Sequence, residues 1–200
     1  MNTVHAKDIE VKKLDTSEIL RYMRAGMSPD AQVVLAAERG GKLVLGASGC
    51  RACYTKVLVE RIDEAHLKLG QITVCSNDLL RHLEGCFEAF VIGVSAGVGV
   101  DRIIRSSRVE SELLSLACDA AGSTLVEEAC DQLEEFLSEE IKALGRTAVG
   151  RFSPGYGDFS LEYQKHITKL LNTSKNIGAS LTGGVMMAPS KTVTAIIGIK

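Results

Sequence analysis

From about Val109 to Leu144, apolar residues recur three or four positions apart: Leu113, Leu116, Ala117, Ala120, Leu125, Ala129, Leu133, Phe136, Leu137, Ile141 and Leu144. That spacing predicts one long amphipathic helix, closed by Gly145 in the place where a glycine commonly follows a helix end. The same stretch is acidic. Glu110, Glu112, Asp119, Glu127, Glu128, Asp131, Glu134, Glu135, Glu139 and Glu140 occur with no Lys or Arg between Arg108 and Lys142. Most of such a run is a solvated face, but its density can also turn a carboxylate toward a cationic ligand or a basic partner. After Gly145 the balance reverses, with seven Lys and Arg against Asp158 and Glu162.

Shorter elements surround this helix. Asp15, with Glu18 three residues on, has the capping-box pattern for a helix over Leu14 to Ala25. Ser28-Pro29-Asp30 opens a second helix with Pro at its first position. Its extent through Gly40-Gly41 is left open, because each glycine costs roughly 1 kcal/mol of helix stability. Ala52 to Ile62 is β-branched and partly alternating, which predicts a strand. Two short strands follow around Gly70, then a brief helix from Ser76 to Leu83. Phe87 to Ser95 is an apolar run of strand length and predicts a buried central strand. A short helix is expected around Asp101 to Arg105, a loop over Gly150 to Asp158 and a helix over Ser160 to Leu171. Two C-terminal strands joined at Pro189-Ser190-Lys191 complete an α+β reading in one domain.

Composition narrows the function. The 200 residues are 46% apolar and 24% charged, enough to bury a core without disulfides or a structural metal. A net charge of -2 and the absence of Trp argue against a nucleic-acid binder, which would carry a basic excess and stacking rings. The first twenty residues are charged every few positions, unlike a secretory signal. The longest nearly uncharged run, Ala89 to Val100, is too short to span a bilayer, which takes about twenty residues. A cytoplasmic protein with reduced cysteines is the expectation.

Three motifs carry candidate chemistry. Gly93-Val94-Ser95-Ala96-Gly97 matches G-x-S-x-G between a predicted strand and helix, as in a hydrolase nucleophile elbow. His166 is the one histidine after it, but the surrounding chain lacks the repeated βα units of that fold, which favours a plain strand-to-helix turn of small residues. Cys50-Arg51-Ala52-Cys53 has the C-x-x-C spacing of redox and metal sites. Cys75, Cys86, Cys118 and Cys130 are scattered singly and offer no second pair, so buried, inert cysteines are the alternative. The four histidines show no metal-motif spacing. Arg151-Phe152-Ser153-Pro154-Gly155-Tyr156-Gly157-Asp158 sets a guanidinium, a rigid proline, two glycines and a phenol within eight residues. Arg presents a planar fork suited to a carboxylate, and glycines allow close backbone approach to a ligand. A structural loop remains the other reading.

Arg151-x-x-x-Gly155-Tyr156 resembles the R-x-x-x-G-Y signature of the activation (reactivation) domain of vitamin B12-dependent methionine synthase. Val126 to Leu133 upstream, and Leu181-Thr182, Met187-x-Pro189 and Val193 downstream, are similar to that family in order and spacing. Phe152-Ser153-Pro154 and Leu161-Glu162-Tyr163-Gln164 resemble its short, stand-alone bacterial branch. The best-matching portion is 85–200, with 1–84 an N-terminal helical and strand region of the same single domain. Gly183-Gly184 stand where the family usually carries Glu-Ser.

The resemblance implies a twisted, mostly antiparallel sheet packed with helices. It implies reactivation of a cobalamin-dependent methionine synthase by binding S-adenosylmethionine, with the cobalamin held by a partner protein. The partners so implied are a corrinoid-binding methionine synthase or related methyltransferase and a flavodoxin-like electron donor. Carried over by position, Arg151 meets the S-adenosylmethionine carboxylate, and Ser153, Pro154 and Gly155 line the pocket. Tyr156 faces the corrinoid, and Glu135 meets the ligand's positive end. No catalytic nucleophile and no metal ligand is implied, since the methyl donor and the corrinoid carry the chemistry. A ligand-free docking protein for a corrinoid methyltransferase is the alternative, and a serine hydrolase using Ser95 the third reading.

Overall fold

The apolar run in the middle of the chain becomes β5 (Glu88–Ser95), buried along almost its whole length on both faces. A strand of that kind needs a covered layer on each side, and the chain supplies both. The computed structural model describes residues 3–200. β2 (Arg51–Arg61) pairs antiparallel with β5 along one edge. Its other edge takes β1 (His5–Asp8) beside its first half and β3 (His66–Leu69) beside its last residues. β4 (Ile72–Cys75) extends the sheet past β3, and β8 (Thr192–Ile199) pairs antiparallel with β5. The order is β4-β3-β2-β5-β8, with β1 beside β2.

On one face, Phe90, Ile92 and Val94 of β5 and Ala195, Ile197 and Ile199 of β8 lie under four helices. These are α1 (Thr16–Tyr22), α2 (Ala31–Ala47), α4 (Val98–Glu110) and α5 (Glu112–Ala143). On the other face, Ala89 and Val91 meet Leu79 of α3 (Asn77–His82), Ile167 and Leu171 of α6 (Gln164–Leu171), and Ile177 of α7 (Thr173–Ile177). The alternation of side chains across a strand sorts these residues into two cores with the sheet between them.

The predicted long helix is α5, 32 residues, and it starts at Glu112 rather than Val109. Ser111 sits between α4 and α5 with an extended backbone, and its hydroxyl accepts from the Leu114 N–H at 3.0 Å. A capping serine thus divides what periodicity read as one helix with a short predecessor. α2 runs unbroken through Gly40-Gly41 because α5 lies against it. A Cβ on Gly40 would stand 2.9 Å from the Ala117 carbonyl carbon. Pro29 precedes the Asp30 cap instead of opening the helix, and Asp30 accepts from the Gln32 N–H at 2.9 Å. At α1, Asp15 caps Ser17 as expected, but Glu18 pairs with Arg21 rather than closing a capping box.

The C-terminal prediction needs correction. Ser180–Thr182 (β6) and Met186–Ala188 (β7) form a separate hairpin around Gly183-Gly184, and Pro189 to Lys191 lead into β8. Three strands replace the two expected. The expected helix over Ser160 to Leu171 is a 3₁₀ turn, Leu161–Tyr163, followed by α6. β1 and α7, four and five residues long, had no periodic signal to reveal them.

Candidate functional site

Beyond α5 the chain turns back along the free edge of β8. The Thr147 and Lys200 backbones exchange hydrogen bonds, the Val149 N–H donates to the Gly198 carbonyl at 2.8 Å, and Phe152 and Ile196 exchange bonds of 2.9 Å. Between the last two links, Gly150 and Arg151 stand opposite Ile197 alone. Two residues against one is a β-bulge, which re-aims a side chain. Val149 and Phe152, an odd three positions apart, therefore both pack on the α3/α6 core, and Arg151 is turned toward α5.

There Arg151 meets three carboxylates. Its Nη1 donates to Asp131 at 2.7 Å and Glu134 at 2.9 Å, and its Nη2 to Glu127 at 3.2 Å. Positions 127, 131 and 134 are spaced i, i+4, i+7, so one face of α5 presents all three. The Arg151 side chain is 20% exposed. Burial alone would lower its pKa, but the bond to Asp131 and the surrounding negative charge more than offset this and raise it. Of five guanidinium donors, the Nε–H and one N–H of Nη2 make no bond among the described residues. The cluster carries one positive and three negative charges.

The following turn is held from two sides. The Gly155 N–H donates to the Phe159 carbonyl at 2.6 Å and the Tyr156 N–H to the Ser153 carbonyl at 3.2 Å. Gly155 has φ +97, a conformation that favours glycine. Asp158 clasps the turn to α3: its carboxylate accepts from the Ser76 hydroxyl and from the N–H groups of Asn77 (2.8 Å) and Asp78 (3.1 Å). Asp78 answers by accepting from the Asp158 N–H at 3.1 Å. His82 Nε2 lies 2.6 Å from the Gly150 carbonyl, and its ring is 4.9 Å from that of Phe152. The bulge is thus fixed at both ends.

Arg151, Ser153 and Tyr156 line one open cavity of about 260 Å³ together with Glu127, Glu134 and Phe152. Pro154 is buried and Gly155 is exposed, and neither lines the cavity. Tyr156 is 66% exposed at the mouth. Glu135 is exposed and lies outside the lining, because one residue along a helix is about 100° around it. The carboxylates that do face Arg151 were legible only as members of an acidic run. Their common face was readable, but its direction toward residue 151 was not.

The other motifs resolve differently. Ser95 is fully buried within the β5 ladder, and its Oγ accepts from Thr192 Oγ1 at 3.0 Å and the Gly97 N–H at 3.3 Å. No histidine or carboxylate bonds it, and His166 is exposed on α6 beside Tyr163. A substrate cannot reach that hydroxyl, which removes the serine hydrolase reading. Cys50 belongs to the core under α5 and Cys53 to the core on the opposite face, so the sheet separates the two thiols. Burial pushes them up to about 11 and about 12. No group of three or more His, Cys, Asp or Glu among the described residues could hold a metal ion. Among the same residues no helix is long and apolar enough to cross a membrane.

No family model and no curated protein matches this sequence. Among solved structures, the chain is similar to the crystal structure of the MetH reactivation domain bound to AdoHcy, with a TM-score of 0.67. The likeness covers 98% of this chain and 78% of that one, at 13% sequence identity. The fold is therefore the expected one: a single α+β domain with a curled antiparallel sheet and packed helices.

Proposed function

We propose that residues 1–200 act as one reactivation module that binds S-adenosylmethionine in the Arg151 cavity. It would present that ligand to cobalamin held by a corrinoid-binding methionine synthase or related methyltransferase. The observation that carries this reading is the bulged edge of the sheet, which gathers the first and last residues of Arg151-x-x-x-Gly155-Tyr156 around one cavity with two carboxylates of α5. The fold is that of a domain solved with AdoHcy.

The donor set suits the ligand. S-adenosylmethionine bears an ammonium, a sulfonium and a carboxylate, one positive charge in sum, and the Arg151 cluster has a surplus of two negative charges. The unused guanidinium donors would take the carboxylate as a charge-assisted pair. Glu127 and Glu134 line the cavity where Glu135 does not, so we assign the ammonium to them. Small-molecule pockets usually measure about 300–1,000 Å³. The smaller cavity here fits the methionine end, with the adenosyl end on the open face beside Tyr156. Bound there, S-adenosylmethionine supplies the methyl group, while a flavodoxin-like donor supplies the electron and the partner holds the corrinoid.

Two observations favour a second reading, a docking protein without ligand. Arg151 is already held by three carboxylates, and the Gly183-Gly184 tip offers neither the acid nor the hydroxyl the family pattern places there. Isothermal titration separates the two. Binding of S-adenosylmethionine to the intact chain, weakened at least about tenfold (1.4 kcal/mol) in Arg151→Lys, which keeps the charge and loses the fork, supports the first. No binding, alone or with a cobalamin-loaded methionine synthase, removes the ligand. Co-purification with that synthase would then leave the docking reading standing.

A further inference from the structure

A second cavity, of about 490 Å³, opens between the last turns of α5 and the sheet and shares no lining residue with the Arg151 site. Its apolar wall comes from Phe90, Ile141 and Leu144. Tyr54 lines it too. The residue as a whole is 9% exposed, and its hydroxyl makes no hydrogen bond among the described residues. The ring is wedged by a stack with His5 at 5.3 Å and an edge contact with Phe90 at 5.9 Å, so the phenol is held in place. Among the described residues the buried side-chain oxygens without a partner belong to Gln164 and Thr194, so the Tyr54 hydroxyl is reached by the solvent of the cavity and is available to a ligand.

The charges around the cavity select the ligand. Lys56 and Arg146 both pair with Glu88, which sits behind them, and Glu140 on α5 has no hydrogen bond among the described residues. Among the described residues, two cations face two carboxylates and leave no surplus for a strong anion or cation. Burial and the nearby Glu140 raise the Tyr54 pKa, so the hydroxyl stays protonated and donates. Arg146 uses its Nη1 on Glu88 and its Nη2 on the Ile199 carbonyl, and it keeps further N–H donors. The site therefore offers donors at Tyr54 and Arg146, an acceptor at Glu140, and an apolar wall between them. The volume lies within the ordinary range for small-molecule sites, about 300–1,000 Å³.

We propose that this cavity binds a neutral, planar ring amide of the nucleobase class, its carbonyl accepting from Tyr54 or Arg146 and its ring N–H donating to Glu140. Hypoxanthine and uracil carry that –CO–NH– edge, adenine lacks the carbonyl, and benzoate is an aromatic anion without the N–H. Titration of the ¹⁵N-labelled chain with each, followed by amide chemical shifts, tests the assignment. Hypoxanthine or uracil is expected to move the resonances of Tyr54, Phe90, Ile141 and Leu144 and leave Arg151 to Tyr156 unmoved. Tyr54→Phe, which deletes one oxygen, is expected to weaken binding roughly tenfold, the effect of losing one buried hydrogen bond. Glu140→Ala, on the exposed face of α5, is expected to weaken it as well with the fold intact. The proposal is overturned if neither ring amide shifts these resonances up to its solubility limit, if adenine or benzoate binds as tightly, or if Tyr54→Phe leaves the affinity unchanged.

Discussion

Cys50, Cys53 and Cys130 carry thiols that burial pushes up to about 11, 12 and 12. Cys86 and Cys118 are raised for the same reason, and Cys75 alone of the six is exposed. Only thiolates react readily. An aromatic disulfide reagent at pH 8 is therefore expected to release one equivalent of chromophore from the native chain, from Cys75, and five more after unfolding. Rapid release of two or more equivalents would show that a buried thiol is accessible. This chemistry was half legible: spacing paired Cys50 with Cys53, but Cys50 just precedes β2 and packs in one core while Cys53, on β2, packs in the other, so they never meet. Arg151 repeats the lesson. Its neighbours in sequence marked it as a ligand-type arginine, whereas its partners lie 17 to 24 residues upstream on a helix whose facing direction no local pattern encodes.

At the scale of elements, the bulged segment depends on Asp158, whose carboxylate joins it to the start of α3. Asp158→Ala is expected to leave the helical content unchanged and to make amides of residues 150–158 exchange severalfold faster than in the parent chain. Unchanged exchange would mean that the clasp does not order the turn. The same carboxylate gives a pH signature. The Ser76 hydroxyl holds the Asp158 pKa below its ordinary 3.8, and Arg146 holds that of Glu88 below 4.5. A lowered native pKa contributes stability that is complete above the unfolded value and is lost as pH falls through the native one. Chemical denaturation should therefore show stability from these two groups unchanged above about pH 5 and falling below about pH 4. Replacing both by their amides should flatten that acid limb.

For the molecule as a whole, two cores share one sheet. Leu133 packs from α5 onto one face and Leu171 from α6 onto the other, both fully buried. Truncation of either to alanine is expected to cost about 2–5 kcal/mol, the usual range for a buried leucine. Because β5 belongs to both cores, each variant should shift one common unfolding transition when followed by circular dichroism in urea. Two separated transitions would show that the faces unfold independently. Leu116→Ala, at a residue 48% exposed, should stay within about 0.5 kcal/mol.

Sequence by itself determined the α+β class, the long acidic helix, the buried central strand and the loop with Arg151 and Tyr156. Each follows from periodicity or turn chemistry within a few residues, where the backbone leaves little choice. Tertiary structure alone decided where α4 and α5 part, that Gly40 is a point of helix contact, and that the chain after Gly145 adds a bulged edge to β8. It also decided which carboxylates Arg151 meets and that Tyr54 opens on a second cavity. Those outcomes depend on which faces pack together and on the register of strands distant in sequence. Burial of the whole core sets both, and no short window of residues contains that information.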